Sequence, residues 1–275
     1  RDLELATVTG KVYQVRGPAQ NTKIAGQLTG VELTEMATMG AEVVYDYDNE
    51  DFFATTNVAV EATEELTVNG LLEYAGTDFV ATGDDQGGND LEEASDYILA
   101  NVSADYVLDE NNTLHGGYNY ITRDVEDIAK HRVTGGITNT MGDFENFANV
   151  EYTWNDAYVE DDTRIFVEAD TAFNLDAKTD LTAAMEYETS DADADYTLVK
   201  VGADYMWNET TTVGAAYQYK TVDEGINYNY LEGTFNKDLT ENVAWNTTAK
   251  YLMGEIADGT EGEGSTVNTA LTVSF

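Results

Sequence analysis

The stretch Val267-Asn268-Thr269-Ala270-Leu271-Thr272-Val273-Ser274-Phe275 alternates without a break. Successive side chains of an extended chain point to opposite faces. Val267, Thr269, Leu271, Val273 and Phe275 therefore share one face, and Asn268, Ala270, Thr272 and Ser274 the other. The first suits hydrocarbon and the second suits water, which is the pattern of a strand in a membrane wall.

Working backwards, the same period of two recurs near 241–254, 225–236, 210–222, 194–206, 179–190, 162–174, 144–155, 128–140, 112–123, 95–108, 66–76, 52–62 and 39–48. With the last strand this makes about fourteen, each near the length a tilted membrane strand needs. The connections fall into two classes. Thr63–Glu65, Glu110–Asn112, Met141–Asp143, Asp176–Lys178, Asn208–Thr210 and Lys237–Thr240 read as tight turns. Thr77–Ala94, Asp156–Asp161, Ser190–Ala194 and Ile256–Gly264 are longer and acidic, although Asp48–Asp51 and Asp124–Asp127 on the same side are short. Short turns at one end and longer loops at the other are characteristic of outer-membrane barrels.

The decisive observation is that one parity of each strand is free of charge. It runs through Ala41, Val43, Tyr45 and Tyr47, then Leu66, Val68, Leu72 and Tyr74, and on to Val199, Val201, Ala203 and Tyr205 and to Val243, Trp245, Ala249 and Tyr251. In a chain that is 24% charged, chance would not leave all these faces neutral. A Lys or Arg facing lipid at the bilayer midplane costs ~2–4 kcal/mol, which supplies the reason. A soluble β-sandwich also hides one face, but it would place its aromatic rings mid-strand. Here the outward rings sit at strand ends. Tyr45, Tyr74, Tyr118, Tyr152, Trp154, Tyr187, Tyr217 and Tyr251 lie toward the loops, and Tyr106, Phe144, Phe173, Tyr205, Trp207, Phe235, Trp245 and Phe275 toward the turns. Two belts with small aliphatic residues between them match two membrane interfaces. The expected fold is one all-β domain over residues 1–275, a transmembrane antiparallel up-and-down β-barrel.

Two segments fit less well. Around 225–236, Ile226, Tyr228 and Tyr230 share one parity and Leu231, Gly233 and Phe235 the other, which suggests a bulge or shifted register. Residues 1–38 alternate weakly around Pro18. They form either two further strands or a periplasmic or lumenal segment, so the count is 14–16 strands, with the balance toward sixteen.

With the terminal strand and the two belts in hand, the sequence resembles the bacterial outer-membrane porins over roughly residues 39–275. Their last strand commonly ends in phenylalanine. The resemblance implies a passive diffusion channel with charged residues at a constriction, often a homo-oligomer (trimer), in contact with outer-membrane lipid. Its place would be the bacterial outer membrane, any signal peptide having been removed; the chain starts with neither a basic nor an apolar leader segment.

The opposite parity carries the charge and is the candidate pore lining. Its cations are Arg123, Lys130, Arg132, Arg164, Lys200, Lys220 and Lys250, all but mid-strand Lys200 in the loop-side half of their strands. Its acids are Glu42, Asp46, Glu73, Asp105, Glu151, Glu168, Asp170, Glu186 and Asp204. One reading is a basic arc facing an acidic wall, a transverse field that sets ion preference. The other is a set of mutually neutralising pairs that only satisfies enclosed charge. The longest loop, Thr77–Ala94, is placed to fold inward. Its Asp84, Asp85 and Asp90, and Asp191, Asp193 and Asp195 of the sequence DADAD, are hard oxygen donors of the kind Ca²⁺ takes. Neither run has the glycine and glutamate of an EF-hand, and solvated acidic loops are the plainer reading.

Composition sets the remaining limits. There are 53 acidic and 13 basic residues, a net charge of −40, no cysteine and one proline. Such a charge repels phosphates, so no nucleic-acid partner is expected. The acidity either enriches cations at a pore mouth or keeps the protein hydrated in concentrated salt. The two histidines, His115 and His131, fall on opposite faces, and no G-x-S-x-G, H-E-x-x-H or phosphate-loop motif occurs, so no enzyme and no cofactor is expected. The sequence thus points to a channel for ions and small hydrophilic solutes that favours cations. The competing reading is a structural, anchoring barrel with acidic and possibly calcium-binding loops.

Overall fold

The computed structural model describes residues 6–15, 21–79, 96–123, 126–156, 159–223, 225–255 and 261–274. Among them there is no helix. Sixteen strands follow one another: β1 (Thr7–Val15), β2 (Asn21–Thr34), β3 (Ala37–Asp46), β4 (Asp51–Glu61), β5 (Leu66–Ala75), β6 (Tyr97–Asp109), β7 (Asn112–Arg123), β8 (Glu126–Met141), β9 (Phe144–Trp154), β10 (Thr163–Asp176), β11 (Thr179–Ser190), β12 (Tyr196–Asn208), β13 (Thr211–Val222), β14 (Asn227–Thr240), β15 (Val243–Glu255) and β16 (Glu261–Val273). They form a single sheet in chain order, each strand beside its sequence neighbours. The first 38 residues supply β1 and β2, which gives sixteen strands. Phe275 lies outside the described residues, and the last strand begins earlier than the alternation suggests, at Glu261.

The weak alternation of the first 38 residues has a local cause. In β2, Leu28 pairs with Ala41 but Val31 with Met39, so Thr29 and Gly30 stand opposite Gly40 alone. This bulge reverses the parity, so the apolar series runs Ile24, Gly26, Leu28 and then Val31, Leu33. Gly30 has φ +68°, the left-handed conformation that a glycine adopts without steric cost.

The bulge expected within 225–236 is absent. β14 keeps one register against β13 from Lys220↔Tyr228 to Thr211↔Lys237. Asn229, Leu231, Gly233 and Phe235 continue the neutral face, beside Tyr219, Tyr217, Ala215 and Val213. Tyr228 and Tyr230 belong to the charged face, where they bond Gln218 and Glu232. Apolarity misleads here because tyrosine serves both faces. The irregularity lies instead at Leu239, beside the turn, and the strand runs to Thr240, beyond the turn expected at Lys237–Thr240.

That irregularity repeats. Leu33, Leu175, Trp207 and Leu239 are each an extra residue against the partner strand, and each is exposed. The next residue caps the turn. Thr34, Asp176, Asn208 and Thr240 accept a hydrogen bond from the backbone N–H two residues on, at Met36, Lys178, Thr210 and Asn242, over 2.8–3.3 Å. Leu108-Asp109 does the same, with Asp109 accepting from the Asn111 N–H at 2.9 Å. A short polar side chain that satisfies its own turn fixes where the hairpin reverses. The apolar residue before it is held on the neutral parity at the turn end.

The chain divides into two compact units, residues 1–108, 114–135 and 153–162, and residues 109–113, 136–152 and 163–275. In the first, the buried side chains Ala25, Val44, Phe53, Ala75, Phe79, Tyr97, Leu99 and Ile121 pack together. All those on strands lie on the charged parity, which is therefore the packed side of this unit. Its neutral side keeps Val43, Leu72, Ile98 and Val102 exposed, and Phe52 and Tyr74 meet at 4.9 Å near the loops. In the second unit the neutral side carries exposed Val150, Ile165, Met185, Val199, Val201 and Leu231. Near its turns Phe144 stacks on Phe173 at 4.2 Å and Phe235 meets Trp245 edge-on at 5.6 Å.

Among the described residues the register puts acids and lysines on the neutral side only at strand ends, at Asp176, Lys237, Glu255, Glu261 and Glu263. Further in, the polar groups satisfy one another. Asn139 donates to Asn112 at 2.7 Å, Asn146 to Asn139 at 3.2 Å and Thr171 to Asn146 at 2.7 Å, a ladder across four strands.

This geometry predicts an asymmetric response to the same substitution. In phospholipid vesicles Val201→Lys, on the neutral side of β12, lowers unfolding stability by ~2–4 kcal/mol. Thr248→Lys, on the charged side of β15, changes it by about 0.5 kcal/mol or less. Denaturant unfolding followed by tryptophan fluorescence measures both.

Candidate functional site

The candidate residues all lie on the charged parity of the sheet. In the first unit this side carries Glu42, Asp46, Glu73, Asp105, Arg123, Lys130 and Arg132; in the second, Glu151, Arg164, Glu168, Asp170, Glu186, Lys200, Asp204, Lys220 and Lys250. Register shows why they gather. Gln27↔Glu42, Lys23↔Asp46, Thr55↔Glu73 and Thr67↔Asp105 are facing pairs, as are Glu168↔Glu186, Lys200↔Gln218 and Glu232↔Lys250.

The sequence reading omitted two cations of the first unit, Lys11 and Lys23. The signal was present: Val8, Gly10 and Val12, and Ile24, Gly26 and Leu28, define the neutral parity and leave both lysines on the other. Lys11 Nζ bonds Glu42 Oε1 at 2.9 Å. Lys23, Asp46 and Glu73 are 1%, 0% and 1% exposed. Burial of charge is tolerated only where opposite charge and hydrogen bonds replace water. Asp46 accepts from the Asp48 and Asn49 backbone N–H groups and from the Asn49 amide at 2.9–3.2 Å. Glu73 accepts from Thr55 Oγ1 and from the Tyr97 hydroxyl, each at 3.4 Å.

Phe79, also missed, sits at the start of the longest loop. It is 1% exposed, stacks on Phe53 at 5.8 Å and has Lys23 Nζ 4.2 Å from its ring centre. The loop thus begins by turning onto the charged face. The stretch 80–95, with Asp84, Asp85 and Asp90, lies outside the described residues.

The second unit pairs charge differently. Arg164 donates from Nε and Nη2 to Glu188 Oε2 at 2.9 and 2.6 Å. Lys250 lies 3.3 Å from Glu232, which also accepts the Tyr230 hydroxyl at 2.6 Å. Glu168 accepts from the Asn149 amide at 3.2 Å and Glu186 from the Tyr196 hydroxyl at 3.3 Å. Lys220 Nζ stands 3.7 Å from the centre of the Tyr196 ring, a cation–π contact. Asp204 occupies space left by Gly214, where a Cβ would meet its carboxylate. Among the described residues neither Lys200 nor Lys220 has a carboxylate within salt-bridge distance.

The histidines lie on opposite faces. His115 Nδ1 meets Asp105 Oδ1 at 2.7 Å on the charged side. His131 is on the neutral side, stacked on Trp154 at 4.8 Å with its Nδ1 2.8 Å from the Tyr118 hydroxyl. The DADAD carboxylates serve the loop. Asp191 accepts from the Thr163 N–H and hydroxyl at 2.9 and 2.8 Å. Asp195 accepts from the Ser190 N–H at 3.0 Å and the Thr189 hydroxyl at 3.1 Å, while the Asp193 N–H donates to Ser190 Oγ at 3.2 Å. Among the described residues no three acids or histidines come together to hold a metal ion.

The two hydrogen bonds from Thr163 hold the Asp191 carboxyl below the usual carboxylate range. A depressed carboxyl contributes stability above its unfolded value and loses it as pH falls through its folded value. Once rates are corrected for intrinsic exchange, protection of the Thr163 amide should hold at neutral pH and be lost as pH falls below about 4. Asp191→Asn should remove this pH dependence in hydrogen-exchange mass spectrometry.

No protein-family model and no curated protein matches the chain. Solved structures do. The outer membrane channel DcaP of Acinetobacter baumannii is 13% identical with a TM-score of 0.56, over 92% of this chain and 85% of that one. OccK3 (OpdO) of Pseudomonas aeruginosa is 10% identical with a TM-score of 0.56, over 93% and 91%. A loop-deletion mutant of OmpT, an outer membrane protein of Vibrio cholerae, is 14% identical with a TM-score of 0.54, over 98% and 99%. At such identities the likeness is one of fold. The chain has the fold of the transmembrane antiparallel up-and-down β-barrels of the bacterial outer membrane.

Proposed function

We propose that the protein is an outer-membrane porin, a passive channel for ions and small hydrophilic solutes that favours cations. One observation carries the reading: strand after strand turns its charge to one side and leaves the other neutral. Lipid against the neutral side and water against the charged side is the arrangement that explains both. The net charge of −40 supports the cation preference, since an acidic wall raises the local concentration of cations. The amide and hydroxyl ladder through Asn112, Asn139, Asn146 and Thr171 is a polar stretch of the neutral side, which fits contact with another protomer of a trimer. The reading assigns the chain no catalytic role, and it places the mature protein in the outer membrane after loss of a signal peptide.

Planar-bilayer recording of the purified protein tests this. Stable ohmic steps are expected, with a reversal potential on the cation side in a KCl gradient. Screening lengths shorten from ~10 Å at 0.1 M to ~3 Å at 1 M salt, so the preference should fall steeply over that range. Arg164→Glu and Lys200→Glu should each move the reversal potential further toward cations. Silence from a correctly folded protein would overturn the channel and leave the anchoring role.

A further inference from the structure

A cavity of about 1080 Å³ opens on the charged side of β12–β16, within the second unit. Its origin is legible in the register. Gly254 and Gly262 face each other and Gly264 faces Leu252, so three adjoining positions carry no side chain. A Cβ placed on Gly262 or Gly264 would meet nothing within 4 Å. Around this space stand Tyr228, Tyr230 and Leu252, with Lys200 and Lys220 on the strands beyond.

The polar groups differ in how far they are satisfied. Lys250 is neutralised by Glu232, and the Tyr230 hydroxyl is donated to the same carboxylate. Tyr228 accepts from the Gln218 amide at 3.0 Å, which leaves its own hydroxyl proton to give. Lys220 lies on a ring and Lys200 has no carboxylate partner. The walls thus combine tyrosine faces and an aliphatic side chain with two cations whose charge is unspent. Glu261 and Glu263 at the rim disfavour a second negative group on any occupant. Mostly apolar walls with a few convergent polar groups, at about this volume, characterise sites for small organic molecules.

We propose that this cavity is a subsite for a small organic monoanion with a flat apolar body. Its ring packs on Tyr228, Tyr230 and Leu252, and its sulfonate or carboxylate sits between Lys200 and Lys220. The inference goes beyond the channel reading and does not need current to flow, because occupancy is an equilibrium property of the folded chain.

Saturation-transfer NMR on the full chain folded in detergent tests it with benzenesulfonate as probe. Methanesulfonate supplies charge without a ring, and benzyl alcohol a ring without charge. Benzenesulfonate should bind at least about tenfold more tightly than either, and the Lys200→Gln/Lys220→Gln variant should weaken it about tenfold or more. Gly264→Leu, which fills the cavity and leaves both lysines, should also displace it; circular dichroism checks the fold of both variants. Equal binding of either control compound, or binding unchanged in both folded variants, would overturn the subsite. Binding as expected from a protein that passes no current would uphold the subsite while removing the channel.

Discussion

The backbone of a membrane strand has no water to bond, so each N–H and C=O must find a partner on the next strand. Everything else in this chain follows from that need. Strands bonded only to their sequence neighbours form one ladder, and the ladder forces alternate side chains to opposite sides. Once one side meets hydrocarbon, charge has a single place to go. The four-strand ladder of Asn112, Asn139, Asn146 and Thr171 is informative because it looks like an exception. Its polar atoms face the neutral side, yet each finds its partner within the ladder, as the backbone does.

The charged side meets the opposite difficulty, since charges crowded together must be kept ionised. The first unit does so by burial with close partners: Lys23 lies under the ring of Phe79, Asp46 caps the β3–β4 turn, and Glu73 is held by a threonine and a tyrosine. The second unit uses tyrosine as an adaptor. Tyr196 gives its hydroxyl to Glu186 and its face to Lys220, and Tyr230 gives its hydroxyl to Glu232 beside Lys250. Such a side chain separates like charges without adding one of its own.

Most of the fold was legible because alternation is a property of neighbouring residues. Strand limits from β3 to β13 fell within two residues of those expected, and the residues named for the charged face stand on it. What failed did so for local reasons. The bulge at Gly30 reversed the parity of β2 midway, which weakened the alternation and hid Lys11 and Lys23. Tyr228 and Tyr230 looked apolar and suggested a register shift that does not exist. The DADAD acids looked like a cation site because sequence shows proximity along the chain but not the Thr163, Thr189 and Ser190 donors that claim two of them. Nothing in the alternation announced that Phe79 turns back onto the sheet, since a loop has no period to read.

One regularity bears on how such a chain comes to have its length. Asp176, Asn208 and Thr240 recur at intervals of 32 residues, each with a large apolar residue before it and a two-residue turn after it. The hairpin is therefore a module that carries its own stop signal and its own membrane rim. Gain or loss of one such module alters the strand number by two and leaves the parity of every other strand intact. A lineage built this way can change the bore of its wall in steps without redesigning the wall.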